Sequence, residues 1–313
     1  GMARAAGQRR SLPHVDSHLH LWTPDTENFP ADVAPSEHLN KDRRATHENF
    51  VTLMDQTGVS HAVVVQPVNY GQDYGYLLSA MDAHPKRLRG MFVADPSVPA
   101  SEASAWVERR AKSHAGWVGL RFNPYKWPAD RVMSDDTGVA MFRRAGELGL
   151  VVGFMPFQGL SRHAADIEKL LTSSPVTQVI IDHWGFFLQP ATGSGEDRLV
   201  DEESWQSLLR LAAFKQVFVK VSALFRAAKD PWPFASLSTR LEELIRTFGS
   251  ERLLWGSDFP YATEHGTYQE AVRAIEEWPV WHTITDEDRA NLMSGTASRL
   301  FGLGQVASAN QEL

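Results

Sequence analysis

Short apolar runs alternate with segments whose apolar residues recur at helical spacing along most of this chain. The apolar runs are rich in β-branched residues and bounded by turn-forming residues, which is typical of buried strands in a parallel sheet. Eight strands are predicted on this basis, at residues 14–20, 61–67, 88–95, 117–123, 150–157, 178–183, 217–223 and 252–259.

Amphipathic segments between these strands predict helices, among them residues 46–58, 101–114, 137–149 and 234–249. Several of them end in the glycine that often follows a helix. Repeated strand-then-helix order indicates an α/β fold, and eight units favour a (β/α)8 TIM barrel. A doubly wound open sheet alternates in the same way, but the first predicted strand lacks the glycine-rich phosphate turn of dinucleotide-binding folds.

The absence of any break in composition indicates one domain over residues 14–303, with an N-terminal extension at 1–13 and a C-terminal tail at 304–313. Gly1 ahead of Met2 is typical of a residue left by tag cleavage. The basic N-terminus has no apolar core of a signal peptide, so we expect a cytoplasmic protein. No apolar run is long enough for a membrane helix.

Charge and cysteine content narrow the classes of partner. The chain carries 31 Lys and Arg against 38 Asp and Glu, a formal net charge of -7, which argues against binding to nucleic acid or an anionic membrane. We therefore expect a small-molecule substrate, and a homo-oligomer stays open. With no cysteine, any metal must be held by histidines and carboxylates.

Polar residues close most of the predicted strands, at the end where barrel enzymes carry their catalytic groups. His18 and His20 lie two residues apart, so an extended strand turns both side chains to the same face, where they could hold one metal ion. Further strand ends are closed by Gln66, Asp95, Arg121, Asn123, Asp182, His183, Lys220, Ser222 and Asp258.

Each of these signals also has an ordinary structural explanation. His18 and His20 could be loop or surface histidines, His183 could be a hydrogen-bonded core histidine, and Asp258 could cap the next helix. Their combination is stronger, because closing a barrel brings strand eight beside strand one. The predicted metal ligands are His18, His20 and Asp258, with Asp16 in support.

Four motifs resemble those of the amidohydrolase superfamily, in its amidohydrolase-2 branch, over nearly the whole chain. They are residues 15–20 (VDSHLH), 119–123 (GLRFN), 181–185 (IDHWG) and 255–260 (WGSDFP). Within that branch the sequence is most similar to sugar lactonases and the 2-pyrone-4,6-dicarboxylate lactonase group. The resemblance implies a hydrolase that opens a lactone, with Asp258, His183 and Arg121 as catalytic residues.

In this resemblance Asp258 activates water, the histidines polarise the lactone carbonyl or hold a metal, and Arg121 contacts substrate. Lys126 and Arg226 could join Arg121 in binding a carboxylate, although solvation at the surface is the simpler explanation for both. Three aromatic residues could line an apolar or sugar-stacking wall or simply pack in the core: Trp22, Tyr70 and Trp184.

Strand five departs from the pattern of the two-metal members, because residues 150–157 offer no ligand. We therefore expect at most one divalent metal, with zinc first among the candidates, or none. A related lyase activity, non-oxidative decarboxylation of an aromatic or muconate-type acid, is the alternative, although its pattern usually has a histidine at strand five. A ligand-binding barrel that has lost its chemistry is the third hypothesis.

Overall fold

The computed structural model describes residues 13–34, 39, 44–189 and 198–304. Eight parallel strands form one sheet in chain order from β1 to β8. Their bounds are β1 His14–Leu19, β2 Val59–Val65, β3 Leu88–Val93, β4 Trp117–Phe122, β5 Val151–Phe154, β6 Val179–Ile181, β7 Val217–Ser222 and β8 Leu253–Gly256.

The first and last strands meet and close the sheet. Leu19 forms a parallel bridge with Phe259, the His20 N–H donates to the Phe259 carbonyl at 2.7 Å, and the Asp258 N–H donates to the His18 carbonyl at 2.8 Å. The predicted (β/α)8 barrel is therefore confirmed. The closure also sets residues that are far apart in sequence side by side, as the predicted site requires.

Helices follow every strand. Their bounds are α1 His47–Thr57, α2 Gly75–Ala83, α3 Ala100–Lys112, α4 Asp136–Glu147, α5 Ala164–Ser173, α6 Glu202–Arg210, α7 Leu224–Ala227, α8 Ser238–Phe248, α9 Tyr268–Arg273, α10 Asp286–Ala290 and α11 Thr296–Leu300. A π-helical turn, Asn291–Gly295, joins the last two. Within the described part of the chain, no helix is long and apolar enough to cross a membrane.

Local chemistry explains where the predicted elements begin and end. The Thr46 side chain caps α1 by accepting a hydrogen bond from the Asn49 N–H, and Gly58 ends that helix with a left-handed φ of 76°. Strand β5 is shorter than predicted because Pro156, which has no N–H, cannot continue the ladder. The predicted helix at 234–249 is split into a 3₁₀ turn, Ala235–Leu237, and α8.

Two apolar layers form the core. The larger lies between the sheet and the surrounding helices. The smaller fills the barrel interior, where side chains from six strands pack with the C-terminal residues Ala297, Phe301 and Leu303; its strand members are Val15, Val63, Val65, Met91, Val151, Ile180 and Leu254. The predicted N-terminal extension and C-terminal tail lie, apart from Pro13 and Gly304, outside the described residues.

Candidate active site

A register shift in β1 lets two residues of the strand that are an odd number of positions apart both point into the barrel. The pairing of β1 with β2 is irregular between Asp16 and Leu19. Val15, before the shift, packs in the apolar interior, whereas His18, after it, faces the charged groups at the carboxyl end of the barrel. In a regular strand residues three apart would point to opposite faces, so the shift is what lets both side chains enter the barrel.

Asp16 points to the other side of β1 and fastens it to β8. Its carboxylate accepts hydrogen bonds from the Ser257 N–H at 2.9 Å and from the Tyr268 hydroxyl at 2.9 Å. Burial raises the Asp16 pKa to about 6, although these hydrogen bonds lower it. Asp16 thus lies behind the histidines, where it supports the strand that carries them.

Gly256 lets β1 and β8 approach each other at this point. A Cβ atom on residue 256 would lie 2.9 Å from the backbone nitrogen of His18 and 3.0 Å from the His18 Cβ. Only glycine permits such a close backbone approach without displacing the histidine. The glycine ahead of Asp258 therefore has a direct role in placing His18.

Four side chains converge where these strands end. Their shared point is the Asp258 carboxylate oxygen Oδ1, which lies 3.4 Å from His20 Nε2, 3.8 Å from His18 Nε2 and 4.0 Å from His183 Nε2. All four residues are buried. The structure thus brings together the three predicted histidines and Asp258.

Backbone strain is concentrated at the ends of the last three strands. The first turn residues after β6, β7 and β8 include His183, Ala223 and Asp258, which have φ values of 49°, 52° and 62°. Left-handed φ is unfavourable for residues with a Cβ and persists only where the surroundings enforce it. After β6 the left-handed turn continues through Phe186, and His183 Nδ1 is fixed by Ser222 Oγ at 2.7 Å.

A buried charged network lies directly beneath the four converging groups. The Arg121 Nε donates to Asp182 Oδ2 at 2.8 Å, and Lys220 Nζ lies 3.4 Å from Asp182 Oδ1. Lys220 Nζ also lies 2.9 Å from His18 Nδ1. Asp182 and Lys220 are each only 1% exposed, so their charges are compensated within the protein.

The surroundings fix the charge states of the site. Burial alone would raise the pKa of Asp182, but Lys220 and Arg121 hold it well below its usual value. Burial likewise opposes ionisation of Asp258, yet His183 and Arg226 lower its pKa. Burial lowers the pKa of His183 to about 3. At neutral pH the two carboxylates are therefore ionised and His183 is uncharged.

A cavity of about 340 Å³ opens above these residues. Arg226 reaches it from α7 and donates from Nε to Asp258 Oδ2 at 2.9 Å, while its guanidinium lies over the Tyr261 ring. Two of the three predicted cationic residues, Arg121 and Arg226, contribute to the wall. The complete lining is His20, Pro67, Val68, Arg121, Met155, Phe157, His183, Phe186, Arg226, Asp258 and Tyr261.

Four predicted substrate-binding residues do not line this cavity. Trp22 and Trp184 are buried in the core, where Trp184 packs near Trp278, so neither presents a ring to the cavity. Tyr70 is also buried, and its hydroxyl accepts a hydrogen bond from the Thr23 N–H. Lys126 faces a separate groove of about 350 Å³. These side chains leave the strand ends in directions that sequence spacing does not determine.

Lys220 and Tyr261 are the main residues of the site that were given no role from sequence. Lys220 appeared among the polar strand ends, but its partner His18 comes from a strand 202 residues away. Tyr261 follows Asp258 by three residues in a 3₁₀ turn, Tyr261–Glu264, and only the structure shows its ring at the cavity. The position of Tyr261 just beyond the WGSDFP motif was the available signal.

The converging groups fit one divalent cation. Within the described residues, candidate ligand atoms of His18, His183 and Asp258 all lie within 4.8 Å of one another. His20 fits as well, because its Nδ1 donates to the Val65 carbonyl at 2.8 Å and leaves a lone pair on Nε2. Imidazole and carboxylate ligands suit zinc. Strand β5 ends at Phe154 and is followed by Met155, so it adds no further carboxylate or imidazole.

Known proteins resemble this chain along most of its length. An L-fucono-1,5-lactonase of Burkholderia multivorans is 22% identical over 94% of this chain and 98% of its own. A 4-sulfomuconolactone hydrolase of Rhizobium radiobacter is 25% identical over 79% of this chain and 75% of its own. A Pseudomonas putida crystal structure, solved as a candidate 2-pyrone-4,6-dicarboxylic acid hydrolase, has a TM-score of 0.73 and 26% identity, covering 94% of this chain and 99% of that one.

The family comparison covers the whole barrel. The amidohydrolase family model of the Amidohydro_2 type matches residues 15–303, from β1 to beyond α11. All four motifs, and every residue that converges at the strand ends, lie inside this match. The chain therefore belongs to the amidohydrolase family.

Proposed function

We propose that this protein is a hydrolase that opens a small lactone bearing a carboxylate or sugar-type hydroxyls. The observation that carries the proposal is the position of Asp258 Oδ1, within 4.0 Å of three imidazole nitrogens at the base of an open cavity. The names of the relatives, two of which are lactone hydrolases, support the same reaction class.

Asp258 acts on the attacking water. Because the Asp258 carboxylate is ionised at neutral pH, it can accept a proton from water as the water oxygen bonds to the ring carbonyl carbon. The bond from that carbon to the ring oxygen then breaks, and the proton passes to the departing ring oxygen, which leaves as a hydroxyl. The products are one carboxylic acid and one alcohol on a single open chain.

Neighbouring groups stabilise the oxyanion that develops on the carbonyl. Arg121 and the imidazole rings lie at the base and wall of the cavity and are buried, so solvent screens their interaction with negative charge only weakly. A second guanidinium, that of Arg226, is one-third exposed and can also contact a substrate carboxylate. The cavity of about 340 Å³ matches a small ring with one or two substituents.

One divalent ion, zinc by its ligand preference, would be held by Asp258 with His18, His20 and His183. Such an ion supplies Lewis-acid polarisation and lowers the pKa of bound water. The roles of Asp258 and Arg121 in binding and orienting water and substrate are the same with or without it.

The test is a panel of sugar lactones, carboxylated lactones and aromatic carboxylic acids, assayed on chelator-treated and zinc-loaded protein. We expect acid release from at least one lactone, measured in a weakly buffered indicator assay, and no carbon dioxide. Carbon dioxide release from an aromatic acid without ring opening would instead identify a decarboxylase. Ligand binding with neither reaction would identify an inactive binding barrel.

A further inference from the structure

Lys220 has no part in the reaction described above, yet it is one of the most deeply buried charged residues in the molecule. Its ammonium nitrogen lies 2.9 Å from His18 Nδ1 and 3.4 Å from Asp182 Oδ1. An ammonium group has three donors and no acceptor, so the ring nitrogen that faces it must accept. The contact with Lys220 therefore determines which ring nitrogen of His18 carries the hydrogen atom.

We propose that Lys220 keeps the hydrogen of His18 on Nε2, so that His18 faces the active site as a hydrogen-bond donor and binds a metal ion more weakly than it would without Lys220. A neutral imidazole carries one hydrogen, and a ring that accepts at Nδ1 must carry it at Nε2. Metal ligation through Nε2 needs the opposite tautomer, in which Nδ1 carries the hydrogen and donates it to a neighbouring oxygen.

The contacts of His18 with His20, and of His20 with Val65, agree with this assignment of the hydrogen atom. His18 Nε2 lies 3.4 Å from His20 Nε2, and His20 Nδ1 lies 2.8 Å from the Val65 carbonyl oxygen. The carbonyl can only accept, so His20 has its hydrogen on Nδ1 and a lone pair on Nε2. Three hydrogen bonds then run in one direction, from Lys220 to His18, from His18 to His20, and from His20 to Val65.

Asp182 provides the competing arrangement. Its Oδ1 lies 3.4 Å from both His18 Nδ1 and Lys220 Nζ, and among the described residues this oxygen forms no hydrogen bond of normal geometry. It is therefore farther from His18 Nδ1 than Lys220 Nζ is, at 2.9 Å. Without Lys220, Asp182 would accept a hydrogen from His18 Nδ1, which frees Nε2 to bind a metal. The buried pair of Lys220 and Asp182 thus determines whether His18 donates or ligates.

The tautomer can be measured directly on the intact, substrate-free protein. Long-range ¹H–¹⁵N NMR on protein labelled in its histidine rings, with His18→Gln to assign the signal, distinguishes the two nitrogens after metal is removed with a chelator. We expect a protonated, pyrrole-type Nε2 and an unprotonated, pyridine-type Nδ1 for His18. The reverse pattern in the unsubstituted protein would overturn the proposal, and this measurement does not depend on any variant folding.

Zinc affinity provides the second measurement. We expect Lys220→Met to bind zinc about 10- to 100-fold more tightly than the parent protein, the usual size of effects from groups that contact a ligand. Competition with a chromophoric chelator, with zinc alone as the probe, measures this change. Unchanged or weaker zinc binding in a folded Lys220→Met protein would contradict the proposal.

Two variants separate this effect from simple loss of positive charge. Lys215→Met removes an exposed lysine just before β7 and is expected to leave zinc affinity unchanged. Arg121→Met removes a buried cation from the same network without touching His18, so the His18 tautomer should stay as in the parent. Since no substrate is present in these experiments, their outcome is independent of whether the protein opens lactones.

Discussion

The two ends of the barrel interior are built from opposite kinds of side chain on the same strands. Toward the amino ends, Ile180 and Leu254 pack with Phe301 in a layer without charge. Asp182 and Asp258 follow these residues by two and four positions, just beyond the ends of β6 and β8, and are equally buried but ionised. The comparison shows that one scaffold separates stability from chemistry by distance along each strand, as in other barrels of this type.

The largest effect is expected from Asp258→Asn at the carboxyl end. Asparagine keeps the shape of the side chain but cannot accept a proton from water, so the turnover number should fall about 10²- to 10⁴-fold. Steady-state kinetics on the best lactone measures the change, and far-ultraviolet circular dichroism checks that the barrel remains folded. Retention of more than half of the activity would remove Asp258 from its proposed role.

Gly256→Ala tests whether the seam between the first and last strands positions His18. The added methyl would lie 2.9 Å from the His18 nitrogen, so β1 must shift. We expect roughly a 100-fold loss of turnover, since displacements of about 1 Å have effects of this size. Gly304→Ala, where the added atom meets nothing within 4 Å, is the matched control and should behave as the parent.

At the amino end, Phe301→Ala should lower stability without changing turnover. Loss of this buried ring from the interior layer is expected to lower the free energy of unfolding by about 3 kcal/mol while the turnover number stays the same. Urea unfolding and steady-state kinetics on the same preparation measure the stability and the turnover number. Val176→Ala removes an exposed apolar side chain and should change stability by less than about 0.5 kcal/mol. A comparable loss of turnover in Phe301→Ala would show that the two ends are coupled.

Two buried histidines at the carboxyl end should make stability depend on pH. Burial holds the pKa of His183 near 3 and that of His18 well below its usual value, so below pH 6.5 these two residues bind more protons in the unfolded chain than in the folded one. Stability should therefore fall as pH decreases from 6.5 towards 4, by up to about 1.4 kcal/mol per pH unit for each histidine.

Chelator-treated protein unfolded in urea at several pH values measures this slope. His183→Gln should make the slope shallower, whereas Phe301→Ala should lower the whole curve and leave its slope unchanged. A slope that is the same in the parent and in His183→Gln would mean that other groups cause the acid destabilisation.

Much of this arrangement could be predicted from sequence because barrel strands place chemistry at their ends. Periodicity located β4 and β7 to within one residue at each end, and the polar residues closing the strands included His18, His183 and Asp258. Each of these residues can be recognised from its local sequence, and the barrel topology then brings them close together. The family resemblance extended the same inference to Arg121.

Residues beyond the strand ends were harder to place. The direction of Trp184 follows from a left-handed turn that no spacing rule foresees, and its indole lies in the core. Lys126 is displaced into a neighbouring groove by its own 3₁₀ turn, Pro124–Lys126. The contact of Lys220 with His18 depends on two strands from opposite ends of the chain. In each case the outcome depends on three-dimensional packing that a single sequence does not contain.

The seam between β1 and β8 also has a consequence for biosynthesis. Asp16 and its partner Ser257 are 241 residues apart, so the second half of the site leaves the ribosome long after the first. At about 5–20 residues per second, a bacterial or eukaryotic ribosome needs roughly 12–50 s to cover that distance. During this interval His18 and His20 lie on a strand with one free edge, and every nascent chain must keep that edge from pairing elsewhere until the last strand arrives.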